Sequence, residues 1–99
     1  MKGIKLVELY EQPTQRQTKD KWTLRTVVVN PDYVVCLRPD ARATALLREG
    51  NLPDGLDSRQ EFTKIQMSRG NGGLDIVVVG AIGLIEDKLN ISTQQLLKG

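Results

Sequence analysis

The residues best able to do chemistry lie between Phe62 and Gly80, in "FTKIQMSRGNGGLDIVVVG". Arg69 and Asn71 stand among glycines, seven and nine positions after the chain's single phenylalanine, Phe62. Together they offer a ring face for stacking a base, a guanidinium fork for phosphate, and an amide for sugar hydroxyls. Arg25, Arg38 and Arg59 are further candidate phosphate partners. Arginine outnumbers lysine between Arg38 and Arg69, which tilts that region toward bidentate recognition of phosphate or carboxylate.

Each feature also has an ordinary structural reading. "RGNGGL" can cradle an anion through backbone N–H groups, but a strand follows it, whereas dinucleotide and P-loop fingerprints open onto a helix. Asn71-Gly72 is equally the dipeptide of a tight hairpin turn. The arginines stand among Asp40, Glu49, Asp54, Asp57 and Glu61, as on any solvated mixed-charge surface. Phe62 can be an edge contact, a subunit-interface residue or a stacking platform.

Other chemistries find little support. The chain has no histidine, which removes serine–histidine triads, imidazole acid–base catalysis and most zinc sites. Cys36, the single cysteine, sits in the apolar run "YVVCL" and reads as a small buried hydrophobe. The carboxylates form no pair at a defined spacing, so neither a metal cluster nor a glycosidase-type pair can be argued. No catalytic residue, metal ligand or cofactor is assigned, and the chain does not read as an enzyme.

With 99 residues, 39% apolar, the chain fits one small domain spanning 1–99. A domain this size buries only about 60 to 65% of its unfolded surface, so association would help it. A net charge of +2 lacks the basic excess of a dedicated nucleic-acid binder, and nucleic acid is disfavoured as a partner. No run approaches the ~18 apolar residues of a membrane span, and the N-terminus shows no signal-peptide core. A cytoplasmic location follows as the expectation, in a host cell if the protein is viral.

The elements that must position these residues read as β-β-β-α-β-β-α. "IKLVELY" alternates as a strand, with Glu8 interrupting the face of Ile4, Leu6 and Tyr10. "EQPTQRQTKDK" is a polar loop, expected to be mobile. "WTLRTVVVN" and "YVVCL" flank Asn30-Pro31-Asp32 and read as a hairpin, with Trp22 in the core. Asp40 is placed to cap a helix over "ARATALLRE", and Gly50 to end it.

Two strands follow, "FTKIQMS" and "LDIVVVG", with Ile65, Met67, Leu74, Ile76 and Val78 expected in the core. Val77 and Val79 then face the other way. A sheet apolar on both sides needs two covers, and a neighbouring subunit is the expected supplier of the second. "AIGLIEDKLN" has helical spacing, and Ser92 with Gln95 suggests a capping box for a last turn. The expected fold is α+β: a small, mostly antiparallel sheet of about five strands, one inserted short helix and a C-terminal helix.

Two resemblances bear on function. "VVVNPDYVVCL", "TKIQM" and "DIVVVGAIGLIEDKL" resemble the FlbD-type flagellar family of small β-rich proteins, although the segment Arg38 to Glu61 departs from that family's tight connection. The element order, the valine strand and the Phe62–Arg69–Asn71 set are similar to phage anti-defence sponges of the Thoeris anti-defence 1 type. That likeness implies a homo-oligomer, a dimer or trimer of dimers, which sequesters cyclic ADP-ribose-type messengers or cyclic oligonucleotides at subunit interfaces. The function expected first is non-enzymatic capture of such a small nucleotide-like ligand. The alternative is a flagellar or viral protein-interaction module with no small ligand.

Overall fold

A computed structural model describes residues 3–13, 21–69 and 72–98, with side chains described as far as residue 90, apart from Arg69. Most of the polar loop before Trp22, Asn71, and the side chains of Ser92 and Gln95 lie outside the described residues. Five strands, β1 (Ile4–Glu11), β2 (Trp22–Val29), β3 (Val34–Pro39), β4 (Phe62–Arg69) and β5 (Gly72–Val79), form one antiparallel sheet in the order β2-β1-β5-β4-β3. Helix α1 (Ala41–Arg48) follows β3, and α2 (Ile82–Lys98) follows β5. This is the expected small α+β fold.

β2 and β3 do not form the expected hairpin. They are the two edges of the sheet, β2 pairing with β1 and β3 with β4. The Asn30-Pro31-Asp32 segment does turn, but as a 3-10 turn over Pro31–Tyr33 that the Asn30 side chain caps by accepting from the Asp32 N–H at 2.9 Å. Such a turn lacks the backbone twist that joins adjacent antiparallel strands.

The short connection shapes the whole sheet. Three 3-10 residues at roughly 2 Å each, with an extended residue at either end, reach about 13 Å. The edges of a flat five-stranded sheet would stand roughly 19 Å apart. The sheet must therefore curl, and Val29 and Val34 from its two edges pack into the same cluster.

Inside the curl lie Leu6, Val29, Ile65, Ile76 and Val78, closed over by Ile85 and Leu89 of α2. Full burial of each such side chain contributes about 1.5–3 kcal/mol. Gly80 makes the close entry into α2 possible. Its φ is +137°, and a Cβ there would stand 2.9 Å from Ile85 Cδ1. The helix runs unbroken through Ser92 to Lys98, so the last turn is not a separate element.

Over Leu9, Phe62, Val77 and Val79 the outer face is covered by the chain itself. Leu9, Ala43, Leu52 and Phe62 form a second cluster, against which Trp22, Leu46, Leu47, Leu56, Val77 and Val79 pack. This corrects the expectation that Val77 and Val79 need a neighbouring subunit: the segment from Arg38 to Glu61 is their cover. Helix α1 is fixed in place at both ends. Asp40 accepts from the Ala43 N–H at 2.9 Å, and Gly50, at φ +75°, lets its own N–H and that of Asn51 reach the Leu47 and Leu46 carbonyls.

Candidate functional site

At one end of the curled sheet lies a cleft of about 640 Å³, within the range of small-molecule sites. The 3-10 turn supplies Asn30 and Tyr33, β4 supplies Met67 and Ser68, β5 supplies Leu74, and the end of β2 supplies Val28. With Asn30 Oδ1 already accepting from Asp32, the Asn30 amide has its NH₂ to offer a ligand. Tyr33 is exposed and contributes an aromatic ring, and Ser68 a hydroxyl. The described lining is uncharged.

Leu74 is 60% exposed at this cleft rather than buried with Ile76 and Val78. It lies at the hairpin end of β5, opposite Met67, where the curl opens and the strand outruns its core.

The candidate ligand residues with described side chains, Phe62, Arg25, Arg38 and Arg59, do not converge. Phe62 is only 1% exposed, inside the outer cluster, with no ring face open to a base. It begins β4, while Arg69 ends it, about 23 Å away along an extended strand. In sequence, Arg69 and Asn71 fall between Ser68 and Gly72, both of which line the cleft. The Arg69 side chain and Asn71 as a whole lie outside the described residues. Arg38 is exposed on β3, its Cα opposite that of Lys64. Arg59 is exposed on the loop before β4, 3.6 Å from Asp57.

Arg25 is held by the fold. Its Nε donates to Glu8 Oε1 at 2.8 Å, and its guanidinium lies 3.5 Å from the centroid of the Tyr10 ring. Glu8 is the residue that interrupts the apolar face of β1, and it is 6% exposed. Register explains the interruption: Glu8 and Arg25 are direct cross-strand partners, so the inward carboxylate meets a cation. The hydrogen bond to Glu8 raises the pKa of Arg25 above its ordinary value. That titration lies far above neutral, so the charge on Arg25 is constant throughout the working range.

Among the described residues no group of three or more acidic, cysteine or histidine side chains could hold a metal ion. No described helix is long and apolar enough to cross a membrane. Cys36 is half-buried and its Sγ lies 3.1 Å from Gln66 Oε1.

Sequence reasoning missed Tyr33 and Asn30 as cleft residues. The available signal was an aromatic residue directly after an Asn-Pro turn, which places a ring at the end of a sheet rather than within it. No protein-family model, curated protein or solved structure matches the chain.

Proposed function

We propose that the protein is a non-enzymatic binding module that captures a compact nucleotide-derived molecule, of the cyclic ADP-ribose or cyclic oligonucleotide kind, acting in the cytoplasm. The observation that carries this reading is the cleft, which combines an exposed aromatic ring, Tyr33, with an amide and a hydroxyl in about 640 Å³. A ring can stack a base, and Asn30 and Ser68 can hydrogen-bond its edge or a sugar. Tyr33 takes the stacking role first assigned to Phe62. Arg69 and Asn71 border the cleft in sequence and remain the candidates for phosphate and sugar contacts.

The test is a thermal-shift screen of the full chain against cyclic ADP-ribose isomers and cyclic oligonucleotides, followed by heating to release the bound molecule intact. A ligand at one hundred times its Kd stabilises by about 2.7 kcal/mol. Tyr33→Ala should abolish that shift. No shift with any of these molecules refutes the reading, and recovery of altered product would mean an enzyme instead. Affinity for ordinary DNA or RNA that falls steeply with salt would point to a nucleic-acid binder.

A protein-interaction module, flagellar or viral, is the second reading. The observation favouring it is the apolar patch that Val7, Leu24 and Val28 expose on the outer face of the β1–β2 hairpin. That reading predicts no small-molecule shift and no effect of Tyr33→Ala on partner binding.

A further inference from the structure

The two edges of the sheet are finished differently. β3 has six residues, a register shift between Val34 and Cys36, Arg38 near its end, and Pro39 last. Short length, bulges, charge and proline are the devices by which proteins keep an edge from pairing with another chain. Of these β2 has only the charge. Its eight residues, "WTLRTVVV", pair with β1 in unbroken register, contain no proline or glycine, and carry one charge. That charge, on Arg25, is compensated by Glu8 on the inner face. Among the described residues, neither helix nor β3 runs along β2.

We propose that β2 pairs antiparallel with β2 of a second copy of this chain, about a two-fold axis through Thr26. The sequence of the strand selects both the occupant and the register. In a two-fold pair each residue opposes its mirror position in the other copy. With Thr26 at the centre, Leu24 faces Val28 of the second copy, and Val28 faces Leu24. On the inner face Arg25 meets Val27 of the second copy, so the two guanidinium groups are not opposed. Centring on Arg25 would set Arg25 against Arg25. Centring on Val27 would set Leu24 against Asn30.

The outer side chains of the strand are those a seam would cover. Leu24 is 37% exposed and Val28 49%, and Val7, at 43%, lies on β1 opposite Thr26 between them. In the pair, the patches of both copies join across a continuous ten-stranded sheet. The seam shares one residue with the ligand cleft, Val28, whereas Thr26 and Leu24 do not line the cleft among its described residues, so cross-linking through Thr26→Cys reads the seam alone.

The test uses the full chain carrying Cys36→Ser, so that only introduced thiols can react. Residues opposed in an antiparallel pair have Cα atoms about 4.5–5.5 Å apart, within disulfide range. Thr26→Cys should therefore form a covalent dimer under mild oxidation. Thr23→Cys should not, because Thr23 faces Val29 of the second copy and lies far from its own counterpart. The unmodified chain should have twice its 11.0 kDa mass in solution. Leu24→Lys with Val28→Lys sets lysine against lysine at two points of the seam, and should return a folded monomer with no Thr26→Cys cross-link. A monomer at millimolar concentration overturns the proposal. So does a dimer that cross-links equally through Thr23→Cys, or one that survives the double lysine variant.

Discussion

The β1–β2 hairpin and the β3–β4–β5 meander belong to one sheet but are packed by different rules. The meander is enclosed on both sides, with α2 inside the curl and α1 and its following loop outside; Phe62, Thr63, Ile65 and Val78 are fully enclosed as a result. The hairpin is enclosed along β1, where Leu6 and Leu9 are buried, and much less along its edge strand. Of β2, only Val29 is buried, while Leu24, Arg25, Thr26 and Val28 face solvent. Burial is therefore concentrated in the meander and β1, and β2 is the strand left available for contact with something else.

The largest test of this contrast is Phe62→Ala. It removes a ring from the outer cluster and should cost about 3–5 kcal/mol in chemical denaturation. The same experiment separates the two readings of this residue. A ligand platform would lose binding and keep its stability, whereas a core ring loses stability first. A cost below about 1 kcal/mol would mean that Phe62 is not enclosed as described.

Next in size is the polar pin of the meander. Thr63 is fully buried, and its hydroxyl donates to the Gly80 carbonyl at 2.8 Å, tying the start of β4 to the turn that launches α2. Thr63→Val keeps the shape and leaves that carbonyl unpaired, which should cost about 1–3 kcal/mol. Thr63→Ser, which retains the donor, should cost less. If the two variants are equally destabilising, the hydrogen bond is not what Thr63 contributes.

Third comes the outer cover. Asp40→Ala removes the side-chain cap of α1 and should cost about 1 kcal/mol, with Asp40→Asn recovering most of it. Because α1 lies over Val77 and Val79, its loosening should also raise amide exchange at the end of β5. Exchange from Leu24 to Val28, beyond the Trp22 that packs against α1, should stay unchanged.

Much of this architecture was legible in the sequence where local rules decide it. Alternation located the strands, Asp40 and Gly50 marked the ends of α1, and Asn71-Gly72 coincides with the junction of β4 and β5. What escaped was decided between distant segments. Nothing local shows that β2 belongs beside β1 rather than β3, because the Glu8–Arg25 partnership becomes visible only once the register is known. Phe62 reads as outward because period-two alternation assigns faces without saying which face is covered. The cover is the 38–61 segment, whose destination no pattern in that segment reveals. Leu74 shares a face with Ile76 and Val78 but lies past the end of the core. The cleft residues escaped for the same reason: Tyr33 and Leu74 meet there only because the sheet curls.

The smallest expected effect is in the hairpin, and it is the most informative about the contrast. Leu24→Ala and Val28→Ala truncate side chains that are more than a third exposed, and each should change the stability of the isolated chain by no more than about 0.5 kcal/mol. The denaturation midpoint should be read at two protein concentrations. At the lower one, where copies are apart, both variants should match the parent within that margin. At the higher one, the parent should gain stability from the β2 seam by mass action, and the variants should gain less. A cost that is large and independent of concentration would place Leu24 and Val28 in the core of the single chain, and the hairpin would then be packed by the same rules as the meander.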